Sequence, residues 1–483
     1  MKYTSFKRIA VIFLTILIVS SCEKSENQIP ENIEIQDFVW KGMNAFYLWQ
    51  DQIPDLADTR FSSQNQLNSY LQGFPNPADL FQTLRFQPGV VDKFSWIVDD
   101  YIALENSFQG INNSNGMEFG LVRFVDTPND LFGYVRYVVP NSDAETKGIA
   151  RGMLFTEIGG TQITEGNFNS LLSSNTYTIH LADYNAGNPT TNGTTIALTK
   201  SQLQENPVAI TKVFDEGANK IGYLMYNQFA SSFDGQLNAA FATFQTEGIT
   251  DLIIDLRYNG GGDVTTTTYM GSMITGQFSN QLFSRKLWNS KVQAAVNSGN
   301  FIENFTNQIL NIDQNGSVIL QEPINSLNLN RIYFITTGSS ASASELVMNS
   351  LSSYISVSSV GTTTLGKVHG STTLYDTDTY SRNGPNLNLN HTWAMQPLVS
   401  EIVNSNDTNQ PNGIPPNVEL PEDYGNLGVL GEKSDPLLDR TITLITTGSR
   451  VGSSKNQLNL IELSNSKLMT PARNNMHVEL KKK

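Results

Sequence analysis

The segment Asp251–Asp263 has the sequence DLIIDLRYNGGGD and is the strongest indication of the fold of this chain. Its first half is a short apolar run, which predicts a strand buried on both faces of a sheet. Three consecutive glycines follow directly, so the backbone can turn there and expose N–H groups to a ligand. Further strands are expected at Lys220–Tyr226 and Ile332–Ile335, with a helix at Leu237–Phe244. This alternation predicts a mostly parallel sheet with helices on its faces.

A serine-rich segment, Gly338–Glu345, follows the last of these strands and has the sequence GSSASASE. Ser342 and Glu345 have the spacing of a capping box, which indicates an ordinary helix start. A serine at a helix N-terminus also lies beside free backbone N–H groups that can stabilise an oxyanion. The same residues can therefore serve both a structural and a catalytic purpose.

A nucleophilic serine needs a base, and the histidines of this chain lie in no recognisable catalytic motif. They are His180, His369, His391 and His477. A lysine can take the role if burial lowers its pKa, and serine–lysine pairs are an accepted variant of the catalytic triad. Lys367 follows Ser342 by 25 residues, on a predicted turn with the sequence TTTLGK. The glycine-rich strand end, the serine and the lysine together predict an acyl-transfer site.

These motifs resemble those of the C-terminal processing peptidases, also called tail-specific proteases. The resemblance rests on SASASE at 340–345, LGK at 365–367 and DLRYNGGG at 255–262, and it covers roughly residues 95–445. It implies a serine endopeptidase with a crotonase-like α/β core.

The resemblance also implies the roles of individual residues. Ser342 would be the nucleophile and Lys367 the general base. The oxyanion hole would combine the N–H of Ala343 with that of Gly261 or Gly262, of which Gly261 is the favoured candidate.

The lysine turn departs from the family pattern at two positions. Many members carry a glutamine four residues after the lysine, where it orients the amine, and this chain has Ser371 there. Val368 also replaces the usual glycine after the lysine. Ser371 is therefore the candidate third catalytic residue.

The chain is predicted to be a mixed α/β and β multidomain protein. The expected parts are an N-terminal helical subdomain at 35–104, a β-rich domain at 105–203, the peptidase core at 204–450 and a polar C-terminal tail at 451–483. The β-rich domain resembles a PDZ domain, in which backbone N–H groups of a loop hold the terminal carboxylate of a peptide. The matching loop residues are Phe119, Gly120 and Leu121. A β-rich domain without a ligand is the alternative.

The N-terminus has the features of a lipoprotein signal. Basic residues precede the apolar run Ile9–Val19, which is too short to span a bilayer and suits a signal peptide. The sequence VSSC then ends at Cys22, the only cysteine, in a pattern that resembles the bacterial lipobox. We therefore expect a signal peptide at 1–21, lipidation of Cys22 and a tether at 22–34. The expected location is the cell envelope, at the outer membrane, facing the periplasm or the exterior.

Composition narrows the partners further. The formal net charge of −14 argues against nucleic-acid binding through a basic face. No metal-ligand motif and no phosphate-binding loop is found, so we expect no metal, nucleotide or other cofactor. The predicted substrates are envelope or extracellular proteins and peptides. Two alternatives remain: an inactive envelope lipoprotein that binds peptides through its PDZ-like domain, and an enzyme of acyl-thioester chemistry.

Overall fold

The computed structural model describes residues 29–313, 315–450 and 460–478. The predicted signal peptide, Cys22 and most of the tether lie outside the described residues. Within the described part, no helix has the length and apolarity needed to cross a membrane.

Helices occur in all parts of the described chain. They are α1 (Glu34–Phe46), α2 (Gln64–Leu71), α3 (Pro77–Thr83), α4 (Tyr101–Phe108), α5 (Asp143–Thr146), α6 (Phe168–Ser173), α7 (Asp234–Glu247), α8 (Val264–Thr275), α9 (Ser290–Ala295), α10 (Ala343–Leu351) and α11 (Pro436–Thr447).

Strands dominate the chain after the first hundred residues. They are β1 (Trp96–Val98), β2 (Ile111–Ser114), β3 (Met117–Arg123), β4 (Leu131–Val138), β5 (Leu154–Ile158), β6 (Thr161–Gln162), β7 (Thr176–Asp183), β8 (Thr190–Thr199), β9 (Ser201–Gln204), β10 (Val208–Glu216), β11 (Asn219–Tyr226), β12 (Asp251–Asp255), β13 (Gly262–Asp263), β14 (Leu282–Trp288), β15 (Ile302–Asn304), β16 (Gln308–Ile312), β17 (Val318–Pro323), β18 (Arg331–Thr336), β19 (Ser356–Gly361), β20 (His369–Ser371), β21 (Leu374–Tyr375), β22 (Ala394–Gln396), β23 (Leu398–Val403), β24 (Val418–Glu419), β25 (Glu462–Asn465) and β26 (Met476–His477).

The predicted parallel sheet forms the centre of the core. Its strand order is β10-β11-β12-β18-β19-β24, and every pair from β11 onward is parallel. Side chains of β12 alternate between its two faces: Leu252 and Ile254 pack in one apolar cluster with α7, α8 and α10, whereas Ile253 packs in another with α11. This alternation places helices on both faces, so the mixed α/β fold class is confirmed.

The described chain forms a second six-stranded sheet. Its order is β13-β26-β20-β23-β14-β15. The glycine turn supplies β13 and the segment after Lys367 supplies β20. Strand β26, from the far C-terminus of the described chain, lies between these two. Parts of the chain that are distant in sequence therefore meet at one sheet edge.

The β-rich domain predicted at 105–203 is built around a separate sheet. Its strands run in the order β25-β3-β4-β5-β7-β8, with β6 paired to β5. Its resemblance to a PDZ domain stays a prediction. One correction is needed, because Phe119, Gly120 and Leu121 lie inside strand β3 and not in a loop. They are extended because β4 pairs along one side of β3 and β25, from the C-terminal tail, pairs along the other.

The N-terminal region is helical, as predicted. Side chains of α1, including Phe38, Val39 and Met43, pack against α2 and α3 in a cluster that also contains Leu374 and Met395 of the core. Strand β1 pairs with β22 of the core. The helices are therefore joined to the core by a shared apolar cluster and by backbone hydrogen bonds.

A buried ionic cluster fixes the end of strand β12. The guanidinium of Arg257 pairs with Asp255 at 2.7 Å and with Asp435 at 2.8 Å, and all three side chains are fully buried. Glu422 pairs with Arg151 of the β-rich domain at 2.9 Å. Each charge in this cluster has an opposite partner, which offsets the cost of removing it from water.

Replacing Arg257 tests how strongly this cluster stabilises the fold. Arg257→Met leaves the carboxylates of Asp255 and Asp435 buried without their cation, so the free energy of unfolding should fall by about 3–5 kcal/mol. The measurement is urea denaturation followed by tryptophan fluorescence. Lys220→Met is the control, since Lys220 and Glu247 form an exposed pair, and it should cost no more than about 1 kcal/mol. Equal losses in the two variants would contradict this account.

Candidate active site

Asn259 joins the glycine turn to the serine-rich segment. Its side-chain Oδ1 accepts a hydrogen bond from Gly261 N–H at 2.9 Å. Its backbone oxygen accepts from Ala341 N–H and from the Ser344 hydroxyl, both at 3.0 Å. Gly261 has a φ of +113°, and a Cβ added there would lie 2.7 Å from Ser342 Cβ. Only glycine allows the turn to approach the serine so closely.

The three serines of the SASAS motif have different environments. Ser340 donates to the backbone oxygen of Leu256 at 2.7 Å, and Ser344 donates to that of Asn259. The hydroxyl of Ser342 is buried and makes no hydrogen bond. Ser342 also has a φ of +66° and a ψ of −114°, which is costly for a residue with a Cβ. Strain and an uncommitted hydroxyl thus single out the middle serine.

Glu345 connects the serine segment to the lysine turn. One carboxylate oxygen, Oε2, accepts from Ser342 N–H at 2.7 Å and from Lys367 N–H at 2.9 Å. The other accepts from Gly366 N–H at 2.6 Å and from the Thr364 hydroxyl at 2.5 Å. Ser342 lies at the N-cap of α10 in a capping-box arrangement with Glu345, although its hydroxyl forms no bond there. Glu345 therefore joins the backbone segments that carry the predicted nucleophile and the predicted base. No hydrogen bond joins Ser342 Oγ to Lys367 Nζ in this structure.

Lys367 lies in an apolar pocket with no exposed surface. Its Nζ lies 5.4 Å from the ring centroid of Phe94 and 5.9 Å from that of Trp96. Burial lowers the pKa of Lys367 to about 7, although the charges of Glu345 and Asp92 act in the opposite direction. A substantial fraction of the amine is therefore neutral near pH 7, as a general base requires.

The aromatic wall of this pocket comes from the N-terminal region. Asp92 is fully buried and accepts hydrogen bonds from the Tyr47 hydroxyl at 2.7 Å and from Ser95 N–H at 2.9 Å. These bonds fix the segment that carries Phe94 and Trp96. Sequence patterns did not predict that this region reaches the site, because Phe94 and Trp96 carry no catalytic chemistry of their own.

Ser371 lies on β20, and its hydroxyl contacts a residue other than Lys367. Its hydroxyl donates to Asn475 Oδ1 at 2.9 Å. Lys367 Nζ donates to the backbone oxygen of Asn474 at 2.7 Å. The role of Ser371 as the residue that orients the lysine stays a prediction. Sequence reasoning missed Asn474 and Asn475 because they lie more than a hundred residues further on, in a polar tail without a motif.

The predicted oxyanion donors come from two segments, the start of α10 and the glycine turn. Ala343 is the first residue of α10, where a backbone N–H has no intrahelical acceptor. Gly261 N–H is bound by the side chain of Asn259, whereas Gly262 N–H donates to the backbone oxygen of Asn475 at 2.7 Å. Of the two glycines, Gly262 is thus the one whose N–H meets a peptide carbonyl in this structure.

A large cleft of about 1130 Å³ borders the glycine turn. The residues that line it include Gly260–Asp263, Glu118, Asn227 and Asn475. Ser342 and Lys367 have no exposed surface and do not line it. Asn475 therefore lies in the wall of the cleft, where its backbone oxygen binds the glycine turn.

Comparisons with known proteins agree with this arrangement. Residues 220–420 match the model of peptidase family S41, and residues 34–96 match the model of the peptidase S41 N-terminal domain. No curated protein matches the chain significantly.

A solved structure shares the fold. The crystal structure of a Bacteroides fragilis protein named as an S41 protease has 22% sequence identity and a TM-score of 0.62, and the match covers 85% of this chain and 97% of that one. The photosystem II D1 C-terminal processing protease has 17% identity and a TM-score of 0.48, over 85% of this chain and 100% of that one. The two family models together span the helical N-terminal region and the core that carries Ser342 and Lys367. The chain belongs to peptidase family S41.

Proposed function

We propose that this S41 peptidase is a serine endopeptidase of the C-terminal processing type in which Ser342 is the nucleophile and Lys367 the general base. The backbone N–H groups of both residues donate to the same carboxylate oxygen of Glu345, and this observation carries the proposal. Burial supplies the second condition, since it lowers the pKa of Lys367 to about 7. An amine with this pKa can accept a hydroxyl proton at neutral pH.

The proposed reaction begins when neutral Lys367 takes the proton of the Ser342 hydroxyl. Ser342 Oγ forms a bond to the carbonyl carbon of the scissile peptide, and the negative charge moves to the carbonyl oxygen. The N–H groups of Ala343 and Gly262 would bind this oxygen. Gly262 is favoured over Gly261 because its N–H binds a peptide carbonyl, that of Asn475, whereas Gly261 N–H donates to the side chain of the nearby Asn259.

The intermediate then collapses and the peptide C–N bond breaks. The leaving amine takes the proton from the Lys367 ammonium, and the acyl group remains on Ser342. In the second half, neutral Lys367 takes a proton from water, whose oxygen attacks the ester. The ammonium returns its proton to Ser342 Oγ as the acid is released, so protons balance over the cycle.

Location and substrates follow from the N-terminal pattern. We propose that acylated Cys22 anchors the enzyme at the cell envelope and that its substrates are envelope or extracellular proteins. The β-rich domain would bind their C-terminal segments by adding them to its sheet.

Substituting the serine tests the nucleophile. Ser342→Ala removes the attacking oxygen, so casein hydrolysis should fall by about 10⁴ or more. Ser344→Ala is the matched control in the same motif. It removes one hydrogen bond to a backbone oxygen, and the rate should fall no more than about tenfold. Equal hydrolysis by wild type and Ser342→Ala would contradict the assignment.

The pH dependence tests the base. The neutral form of Lys367 increases as the pH rises through about 7, so kcat/KM should rise over the same interval and then level off. Phe94→Ala admits water to the pocket and reduces the desolvation that lowers the lysine pKa. The rise should therefore move to higher pH, with activity lost at pH 7 and regained at higher pH. An unchanged profile in Phe94→Ala would argue against Lys367 as the base.

The lipid anchor is tested in the native host. Cells grown with radiolabelled palmitate should incorporate label into the wild-type chain and not into Cys22→Ser. The variant should also leave the membrane fraction. Equal labelling of both proteins would exclude Cys22 as the acylated residue.

A further inference from the structure

The C-terminal segment Leu460–Val478 adds a strand to each of two sheets. Strand β25 pairs antiparallel with β3 of the β-rich domain, with Glu462 opposite Val122 and Asn465 opposite Gly120. Strand β26 then pairs in parallel with β13 and β20 at the candidate active site. The addition of an extended segment to a sheet edge is a general mode of peptide recognition. One segment of this chain uses that mode twice.

A buried arginine holds the first part of the segment. The guanidinium of Arg136 pairs with Glu462 at 2.5 Å and donates to the Ser339 hydroxyl at 2.7 Å. The Tyr134 hydroxyl donates to the second oxygen of Glu462 at 2.7 Å. The Arg136 side chain is only 2% exposed, so its charge needs an anionic partner. Arg136, Tyr134 and Ser339 thus form a carboxylate-binding site, which we call the Arg136 site.

The middle of the segment occupies the position predicted for a peptide terminus. Ser466 Oγ accepts a hydrogen bond from Phe119 N–H at 3.0 Å and donates to Glu118 Oε2 at 2.5 Å. The Ser466 hydroxyl therefore binds the Phe119 N–H, which was predicted to bind the terminal carboxylate of a peptide. The chain continues from there through a 3-10 turn, Ser466–Met469, toward the catalytic residues.

The last part of the segment contacts the proposed catalytic groups through backbone carbonyls. Asn474 O accepts from Lys367 Nζ, and Asn475 O accepts from Gly262 N–H, both at 2.7 Å. A Cβ added at Gly261 would lie 2.2 Å from Asn475 O and 2.7 Å from Ser342 Cβ, so the carbonyl and the serine crowd the same point. A peptide carbonyl thus lies beside the nucleophile and on a proposed oxyanion donor.

We infer that the β3 edge, the Arg136 site and the groove between β13 and β20 form one binding path for an extended, carboxylate-bearing polypeptide, and that Leu460–Val478 fills this path in cis. The inference rests on the proposed peptidase function and adds a means of regulation to it. A substrate must displace the segment, because Asn474 O occupies Lys367 Nζ and Asn475 O occupies the Gly262 N–H while it is bound.

Burial of the segment supports this occupancy. Met476 and Val478 are each 1% exposed and belong to the main apolar cluster of the core. Residues next to Asn475 are thus held by packing as well as by hydrogen bonds. Displacement must therefore expose apolar surface, which a substrate segment of similar pattern would cover again.

The test weakens each end of the segment within the full-length chain. Glu462→Gln removes the carboxylate from the Arg136 site, and Val478→Asp places a charge in the apolar cluster. Each should raise the initial rate of fluorescein-casein hydrolysis at least about tenfold, since a charged hydrogen bond or a buried apolar contact is lost. A synthetic peptide of residues 460–478, added in trans, should return both variants to the wild-type rate. Ile461→Ser is the control, because Ile461 is 59% exposed, and it should behave as wild type.

A second readout does not depend on catalysis. Fluorescence anisotropy should show the labelled 460–478 peptide binding to Val478→Asp, and a peptide carrying Glu462→Gln should bind at least about tenfold more weakly. If Val478→Asp fails to fold by circular dichroism, Glu462→Gln takes its place in the assay.

The outcomes separate this inference from the proposed function. Wild-type hydrolysis rates in both variants, with no peptide binding and with hydrolysis still dependent on Ser342, would overturn the inference alone. Peptide binding without hydrolysis by any variant would support the binding path and reject the peptidase proposal. Equal binding of the two peptides would overturn the Arg136 site.

Discussion

Exclusion of water from the Lys367 amine is the constraint on which the site depends. Ammonium groups are stable when hydrated, so a lysine with no exposed surface loses its proton more readily. Phe94 and Trp96 form the wall that excludes water, and Asp92 holds the segment that carries them. The segment that follows the N-terminal helices thus controls solvation of the proposed base without supplying a reacting group.

Glu345 provides the geometric counterpart to this solvation effect. Its carboxylate accepts four hydrogen bonds from the two segments that carry Ser342 and Lys367. The same charge acts to raise the lysine pKa, so the site combines two opposing demands. Burial outweighs this charge, since the pKa of Lys367 remains lowered to about 7. The Glu345 carboxylate can therefore align the segments of Ser342 and Lys367 while the lysine remains able to lose its proton near pH 7.

The sequence predicted those features that local patterns specify. The apolar run at β12 and the glycine turn after it indicated a parallel sheet, and the sheet is present with helices on both faces. Ser342 and Lys367 were predicted from their motifs, and the backbone N–H groups of both donate to Glu345. Their catalytic roles stay a prediction. The placement of Phe119–Leu121 in a loop was wrong, because that prediction had no knowledge of β25. Pairing between residues more than three hundred positions apart leaves no periodic signal in either segment.

The C-terminal segment shows how distant parts of the chain meet in one site. Its polar composition gave no indication of order, yet its backbone completes two sheets and its carbonyls bind Lys367 and Gly262. Backbone groups provide these contacts, so side-chain motifs could not reveal them. The fold thus places the backbone of its own C-terminal segment next to the residues proposed to cleave peptides.

The charge state of Lys367 is the most direct test of this account. The full-length chain, labelled with ¹⁵N and ¹³C at lysine, can be titrated by NMR, with Lys367→Arg used to assign the side-chain resonance. The account predicts that the resonance of Lys367 titrates with a midpoint near pH 7. A resonance that keeps the shift of a charged amine until about pH 10, as a hydrated lysine does, would contradict it.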